Sequence, residues 1–224
     1  MIEIINTPFY REANMQGYWR FETAGEDSSV NNYGLTPVGA PAHIASNFGK
    51  GVDLELADLQ YYYVPDAQCA NLEIAGAKTY LCWLKFESHT ADTYPVAKAN
   101  SPLTVLTGIR YSTTGGLGFL SSGLTTNTEV NSTTHPTNGV WHFVAGIYTG
   151  AKLQIYVDGT LTEVNATGSS TDTNGNFAVG KLGSYNAYHF DGVIDEVAIF
   201  NRALSEAELD SIYEGADSGG AIAF

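Results

Sequence analysis

Hydrophobic and polar positions change period once within the segment FDGVIDEVAIFNRALSEAELDSIY, Phe190 to Tyr213. Val193, Asp195, Val197 and Ile199 alternate with Ile194, Glu196, Ala198 and Phe200. Both sets are largely apolar, the pattern of a strand covered on both faces. From Leu204 onward the pattern turns helical. Ser205 and Glu208 have capping-box spacing, in which each side chain satisfies the other residue's backbone N–H. Leu204 and Leu209 flank the cap as a hydrophobic staple, and Gly215 supplies the stop. A buried strand therefore leads into one short helix with both ends marked.

The rest of the chain reads as short strands separated by turn chemistry. Strands are expected at 17–21, 48–58, 59–64, 79–86, 95–98, 103–111, 115–120, 140–148, 153–157, 161–164 and 177–182. In the second of these, Val52, Leu54 and Leu56 alternate with Asp53 and Glu55, as in a half-buried strand. Asp158-Gly159 is the strongest hairpin signal. Residues 22–39 are turn chemistry throughout, rich in Asp, Ser, Asn and Gly. Residues 121–138 read as an exposed strand plus a loop. Residues 1–16 form an arm, where Pro8 interrupts the pairing potential of Ile2, Ile4 and Ile5. There is no internal repeat and no linker, so the strands belong to one sandwich or barrel with a terminal helix.

Composition narrows the partners. The formal charge is −14 with ten basic residues, and no cluster of Lys and Arg offers a surface for nucleic acid. No apolar run is long enough to span a membrane as a helix. The opening MIEIINTPFYREANMQ has no basic region followed by an apolar core, so no signal peptide is expected. Cys82 sits in an apolar run and Cys69 in a polar loop; two cysteines do not make a disulfide framework, and their pairing stays open.

Four motifs in order carry a family resemblance. GYWRFE followed by DSSVNNYG looks like an opening strand and acidic loop. KTYLCWLKF looks like a central tryptophan strand. VWHFVAGIY…AKLQIYVDGTL looks like a hairpin, and Gly-x-Ile-Asp-Glu-Val-x-Ile-Phe-x-Arg-Ala-Leu-Ser-x-x-Glu closes the set. Together they resemble laminin G-like domains of the concanavalin A-like lectin/glucanase superfamily. The resemblance implies an all-β, two-sheet antiparallel jelly-roll sandwich over residues 17–215 with one short C-terminal helix, an arm at 1–16 and a tail at 216–224. Val30 stands where members often carry glycine, and the arm has no family counterpart.

Calcium is the first chemistry to weigh. A hard cation wants six to eight oxygens held by a tight turn, and residues 22–34 offer carboxylates, amides and carbonyls in such a stretch. Asp195 interrupts an apolar strand, where an unpaired carboxylate is costly. The resemblance implies a structural calcium held by the Asp27 and Asp195 side chains and the Asn32 and Gly34 carbonyls. The alternative is an Asx-turn at Asp27 and a hydrogen-bonded Asp195. Glycosidase chemistry needs paired carboxylates; the nearest match, Asp53, Glu55 and Asp58, has the wrong types and order, so no enzyme is expected. Histidines 43, 89, 135, 142 and 189 are scattered, which disfavours zinc. Glycan binding is the family's usual work and needs exposed aromatic faces with amides beside them; Tyr94, Tyr185, Asn186 and Tyr188 supply these.

The expectation is a non-catalytic lectin-like binding or adhesion module, calcium-stabilised, contacting glycan or a protein surface. The arm, the tail and the missing signal peptide point further, to a bacteriophage virion component at a particle or cell surface. It would be a decoration protein or fibre that touches other virion proteins through residues 1–16. A purely structural virion protein without glycan binding is the alternative, with a glycoside hydrolase behind it.

Overall fold

Alternating apolar positions give fifteen strands among the described residues, which in this computed structural model are 12–104, 106–170 and 174–217. They are β1 (Met15–Trp19), β2 (Thr36–Val38), β3 (Ala42–Ser46), β4 (Gly49–Leu54), β5 (Tyr61–Val64), β6 (Lys78–Ser88), β7 (Thr93–Ala99) and β8 (Leu106–Ser112). β9 (Gly116–Ser121), β10 (Glu129–Asn131), β11 (Trp141–Tyr148), β12 (Lys152–Val157), β13 (Thr160–Asn165), β14 (Asn176–Val179) and β15 (Asp191–Phe200) follow, before helix α1 (Glu206–Asp217). One sheet runs β13-β12-β11-β6-β15-β4-β3, with β1 also on β15; the other runs β10-β9-β8-β7-β14-β5-β2. All pairings are antiparallel, giving the expected jelly-roll sandwich.

β15 organises the larger sheet. One of its edges pairs with β6, while the other is divided between β4 at Gly192–Ile194 and β1 from Val197 to Phe200. The change of partner falls at Asp195–Glu196. There the register slips and Glu196 takes a φ of 50°, a β-bulge that strict alternation does not predict. Beyond the bulge the faces exchange. Ile194, Val197 and Ile199 enter the core between the sheets, with Trp19 stacked on Phe177 at 4.8 Å. Ala198 and Phe200 face the other side, where Trp83 and Phe143 lie under Leu209, Ile212 and Tyr213 of α1. The capping box closes as expected: Glu208 Oε2 accepts from the Ser205 N–H and hydroxyl, both at 2.8 Å. Gly215 is not the stop, because it lacks the left-handed φ that ends a helix and α1 runs on to Asp217.

Other expectations shift where strands leave the sheet. Val52 and Leu54 are buried, but Leu56 is exposed because the chain turns into a single 3₁₀ turn at Leu56–Asp58. β2 and β3 were not legible as strands, being edge strands of exposed and half-buried residues without apolar alternation. Cys69, although in a loop, is buried in the core, and both thiols are free. Met15 is fully buried in β1, and Glu12 pairs with Arg202, so the expected arm gives up its last residues to the sandwich. Residues 1–11 of that arm and 218–224 of the tail lie outside the described residues.

The bulge buries two carboxyl groups side by side. Asp195 Oδ1 accepts the Glu196 N–H at 2.8 Å and its Oδ2 accepts the Ser46 hydroxyl at 2.5 Å. Glu196 accepts from the Tyr18 hydroxyl and, at 3.4 Å, from Arg20 Nε. Burial raises the pKa of both acids well above the carboxylate range, and for Asp195 the neighbouring Glu196 charge adds to the rise. Unfolding frees both to ionise near pH ~4. The folded state therefore holds more protons, and its stability declines as pH rises from roughly 4 through neutrality. Thermal melts are expected to show this slope, and Asp195→Asn and Glu196→Gln to flatten it while leaving Tm at pH 7 within a few degrees of the parent. A calcium-ligating Asp195 would instead lose Tm sharply on that substitution. Ser205→Ala removes the helix cap and is expected to cost about 1 kcal/mol in chemical denaturation.

Candidate functional site

Asp27 is saturated by its own chain. Its Oδ1 accepts the Tyr18 and Ser29 N–H groups, both at 2.8 Å; Oδ2 accepts the Ser29 hydroxyl at 2.8 Å and the Tyr33 N–H at 2.7 Å. The Ser29 bond makes this an Asx-turn. Asp27 bridges to Trp19 on one side of β1, while β15 pairs with β1 on the other. Asp27 and the β15 backbone are therefore separated by two strand spacings, roughly 10 Å. Asn32 takes a φ of 55° and its carbonyl accepts the Gly34 N–H at 3.1 Å. A calcium ion needs free oxygens converging on one point. As they stand, Asp27, Asn32 and Asp195 do not fit that need, because their oxygens accept from the backbone and from the Ser29 and Ser46 hydroxyls, which leaves only the Gly34 carbonyl of the expected set.

The tyrosine set does come together in part. After β14 the chain makes a loop closed at its neck, where the Phe190 N–H donates to the Gly180 carbonyl at 2.8 Å. Three bonds stitch this loop to β7: Gly180 N–H to Pro95 O at 2.7 Å, Ser184 N–H to Ala99 O at 2.8 Å, and Tyr94 N–H to Tyr188 O at 3.1 Å. Tyr188 adopts a left-handed φ of 60°, which turns its ring outward, 45 % exposed. Tyr94 packs edge-on against it at 5.7 Å and is itself buried. Tyr94 is thus the backing of the platform rather than its face. Tyr185 and Asn186 lie exposed at the loop tip, apart from that pair in role.

Tyr188 stands at the rim of a cleft of about 210 Å³, which His89, Asp92, His189, Asp191 and Leu56 also line. Of these the sequence offers only His189, as a neighbour of the loop tyrosines; the others escape it, because the cleft joins the β6–β7 loop to the β14–β15 loop, and no local pattern announces such a meeting. His189 is buried at the edge of the Tyr61 ring, 5.7 Å between centroids. Its burial, together with the Lys181 charge, lowers its pKa, so the imidazole is neutral at pH 7. Lys181 is buried too, with its ammonium 4.3 Å from the Tyr61 ring centroid and donating to the Tyr185 carbonyl at 3.3 Å. This contact props the loop from beneath.

The strand with Asp53 and Glu55 gathers a third acid. The carboxylates of Asp53, Glu55 and Glu87 lie within 4.8 Å of one another. Burial raises the pKa of Asp53 and of Glu87, and other acids nearby add to both shifts. None of the three lines the cleft, and Asp58 has turned away into the 3₁₀ segment.

Comparison with known proteins agrees with this architecture. Residues 58–210 match the family model described as the concanavalin A-like lectin/glucanases superfamily. Nothing among curated proteins matches the chain. Among solved structures, domain 4 of AbnA, a GH43 extracellular arabinanase from Geobacillus stearothermophilus, in complex with arabinotriose, superposes with a TM-score of 0.68 at 21 % identity, covering 89 % of this chain and 98 % of that one. The binding domain of Paraclostridial Mosquitocidal Protein 1 gives a TM-score of 0.66 at 14 % identity, covering 89 % of this chain and 52 % of that one. A Trypanosoma rangeli sialidase gives 0.65 at 16 % identity; the match takes in 94 % of this chain but spans only 34 % of the sialidase. These likenesses bear on the fold, and with the family match over two-thirds of its length the chain belongs to the concanavalin A-like lectin/glucanases superfamily.

Proposed function

We propose that this chain is a non-catalytic, lectin-like binding module that holds a glycan at the rim of the β6–β7 and β14–β15 cleft. The observation that carries the reading is Tyr188: an exposed aromatic ring on a left-handed backbone, backed by Tyr94, at the rim of a largely apolar cleft into which His89, Asp92, His189 and Asp191 bring a few polar groups. Sugar rings stack on such faces, and nearby polar groups meet their hydroxyls. AbnA domain 4, bound to arabinotriose, is a precedent for a sugar ligand on this fold. The reading is non-catalytic because the acidic trio Asp53, Glu55 and Glu87 sits outside the cleft, and the two acids that do line it hold loops: Asp92 Oδ1 accepts from the Thr113 N–H and hydroxyl, and Asp191 Oδ1 accepts the Leu56 N–H. The reading calls on no calcium, since the Asp27 and Asp195 oxygens already accept hydrogen bonds.

A structural role in a virion or other assembly, with contacts through residues 1–16, is the second reading. It rests on the sequence features of the arm, of which residues 1–11 lie outside the described residues.

A glycan array probed with the whole chain is expected to show binding that survives chelator. Tyr188→Ala should weaken that binding about tenfold or more, since a lost stacking contact is worth ~1 kcal/mol beyond its buried area. An array without any signal would count against the glycan reading and leave the structural one standing.

A further inference from the structure

The β14–β15 loop is anchored at two points. Leu182 is buried with Tyr94, Ala97, Ala99 and Leu106, and Phe190 is buried in the main core. The stretch 183–189 between these anchors carries Tyr185 and Tyr188 and starts at Gly183, whose φ is 40°. Two backbone bonds tie it to β7, Ser184 N–H to Ala99 O and Tyr94 N–H to Tyr188 O. Against them stands the left-handed φ of Tyr188, a strain that release would relieve. The stretch has the build of a flap.

Beneath it, two basic side chains share one ring. Lys181 and His189 are each 5 % exposed and both meet Tyr61, the ammonium 4.3 Å and the imidazole centroid 5.7 Å from the ring centroid. Among the described residues no carboxylate pairs with Lys181, which has that ring and the Tyr185 carbonyl instead. His189 has Tyr61 and the Gln60 backbone on the β5 side and Lys181 and Tyr188 on its own loop. His89, Asp92 and Asp191 line the cleft with it, but they are held by Asn138, Thr113 and the Leu56 N–H. Of all these, the charge that bears on His189 is that of Lys181.

The direction of the pH effect follows. With the loop closed, burial first and the Lys181 charge second hold the imidazole neutral at pH 7. In an opened flap it is an ordinary histidine with a pKa of ~6.5. The open form takes up more protons below that value, so closure weakens as pH falls. The sandwich as a whole moves the other way, because Asp195 and Glu196 favour the folded state in acid.

We infer that residues 183–189 are an acid-released flap with His189 as its sensor: a proton on the imidazole sets a second cation beside buried Lys181, and the flap leaves β7, taking Tyr188 with it. What the flap regulates rests on the glycan reading above: a ligand held at Tyr188 near neutrality is let go in acid. The opening itself needs no ligand.

Hydrogen exchange followed by NMR on the whole chain at pH 7.5 and 5.0, corrected for the intrinsic pH dependence of exchange, tests the flap. The Tyr94 and Ser184 amides are expected to lose about threefold or more of their protection in acid, up to a ceiling of about thirtyfold set by an open-state pKa of ~6.5. The Gly180 and Phe190 amides at the neck, and those of β6, should keep theirs. His189→Gln is expected to abolish the acid loss and Lys181→Met to reduce it. If neither variant folds, titration of the His189 ring in the parent decides, with a midpoint expected below 6.5. Equal protection at both pH values, or a ring that titrates at 6.5 or above, would overturn the flap and leave the glycan reading intact. Acid loss that persists in His189→Gln would overturn His189 as the sensor. A glycan array read at the same two pH values is expected to lose its Tyr188-dependent signal in acid, and equal signals would overturn ligand release. No signal at either pH would overturn the glycan reading and ligand release together, with the exchange result still deciding the flap.

Discussion

Everything in the larger sheet depends on how β15 shares one edge between two partners. β4 ends its pairing at Ile194 and β1 begins at Val197. A backbone left without a strand partner inside a sandwich must find one elsewhere. Asp195 meets that need by accepting the next residue's N–H, and Ser46 of β3 holds its other oxygen. Tyr18 of β1 holds Glu196. The two acids therefore tie β1, β3 and β15 together at the point where the sheet would otherwise come apart. The Ile-Asp-Glu-Val signature reads on this basis as a joint in the sheet.

That joint also accounts for the core on both faces. Without the bulge, Val197 and Ile199 would sit on the same side as Val193, and the apolar faces would not meet both layers. With it, Val197 and Ile199 turn inward while Ala198 and Phe200 meet the helix side. The left-handed φ of Glu196 is strained for a side-chain-bearing residue. Satisfied hydrogen bonds on every side hold it.

Most of the fold was legible because buried strands announce themselves. β6, β11 and β15 are apolar on both faces, and Asp158-Gly159 turns with φ of 47° and 84°, the left-handed pair its sequence demands. The capping box was legible for the same reason: its chemistry is local. β2 and β3 were not, since an edge strand needs little apolar surface. The bulge escaped notice because alternation carries no record of a change of partner. At the candidate site, Tyr188 and its loop could be picked out from composition, but the burial of Tyr94 and the cleft with His89 and His189 could not. Those depend on which loops the sandwich brings side by side. Asp27 was correctly placed in a turn, and only the folded chain shows that the turn uses both of its oxygens.

The outermost strands of each layer have a consequence for crowding. β2 and β10 are three residues each, and β2 holds Pro37, which cannot donate to another strand. β3 and β13 hold no fully buried residue, each being a mixture of exposed and half-buried positions. Short, polar or proline-bearing borders give a foreign strand little to zip onto. Copies of this domain can therefore stand densely side by side, as on a lattice or a polymer, without their layers fusing into fibres. The exposed rings of Tyr185 and Tyr188 can then face outward without becoming an aggregation hazard.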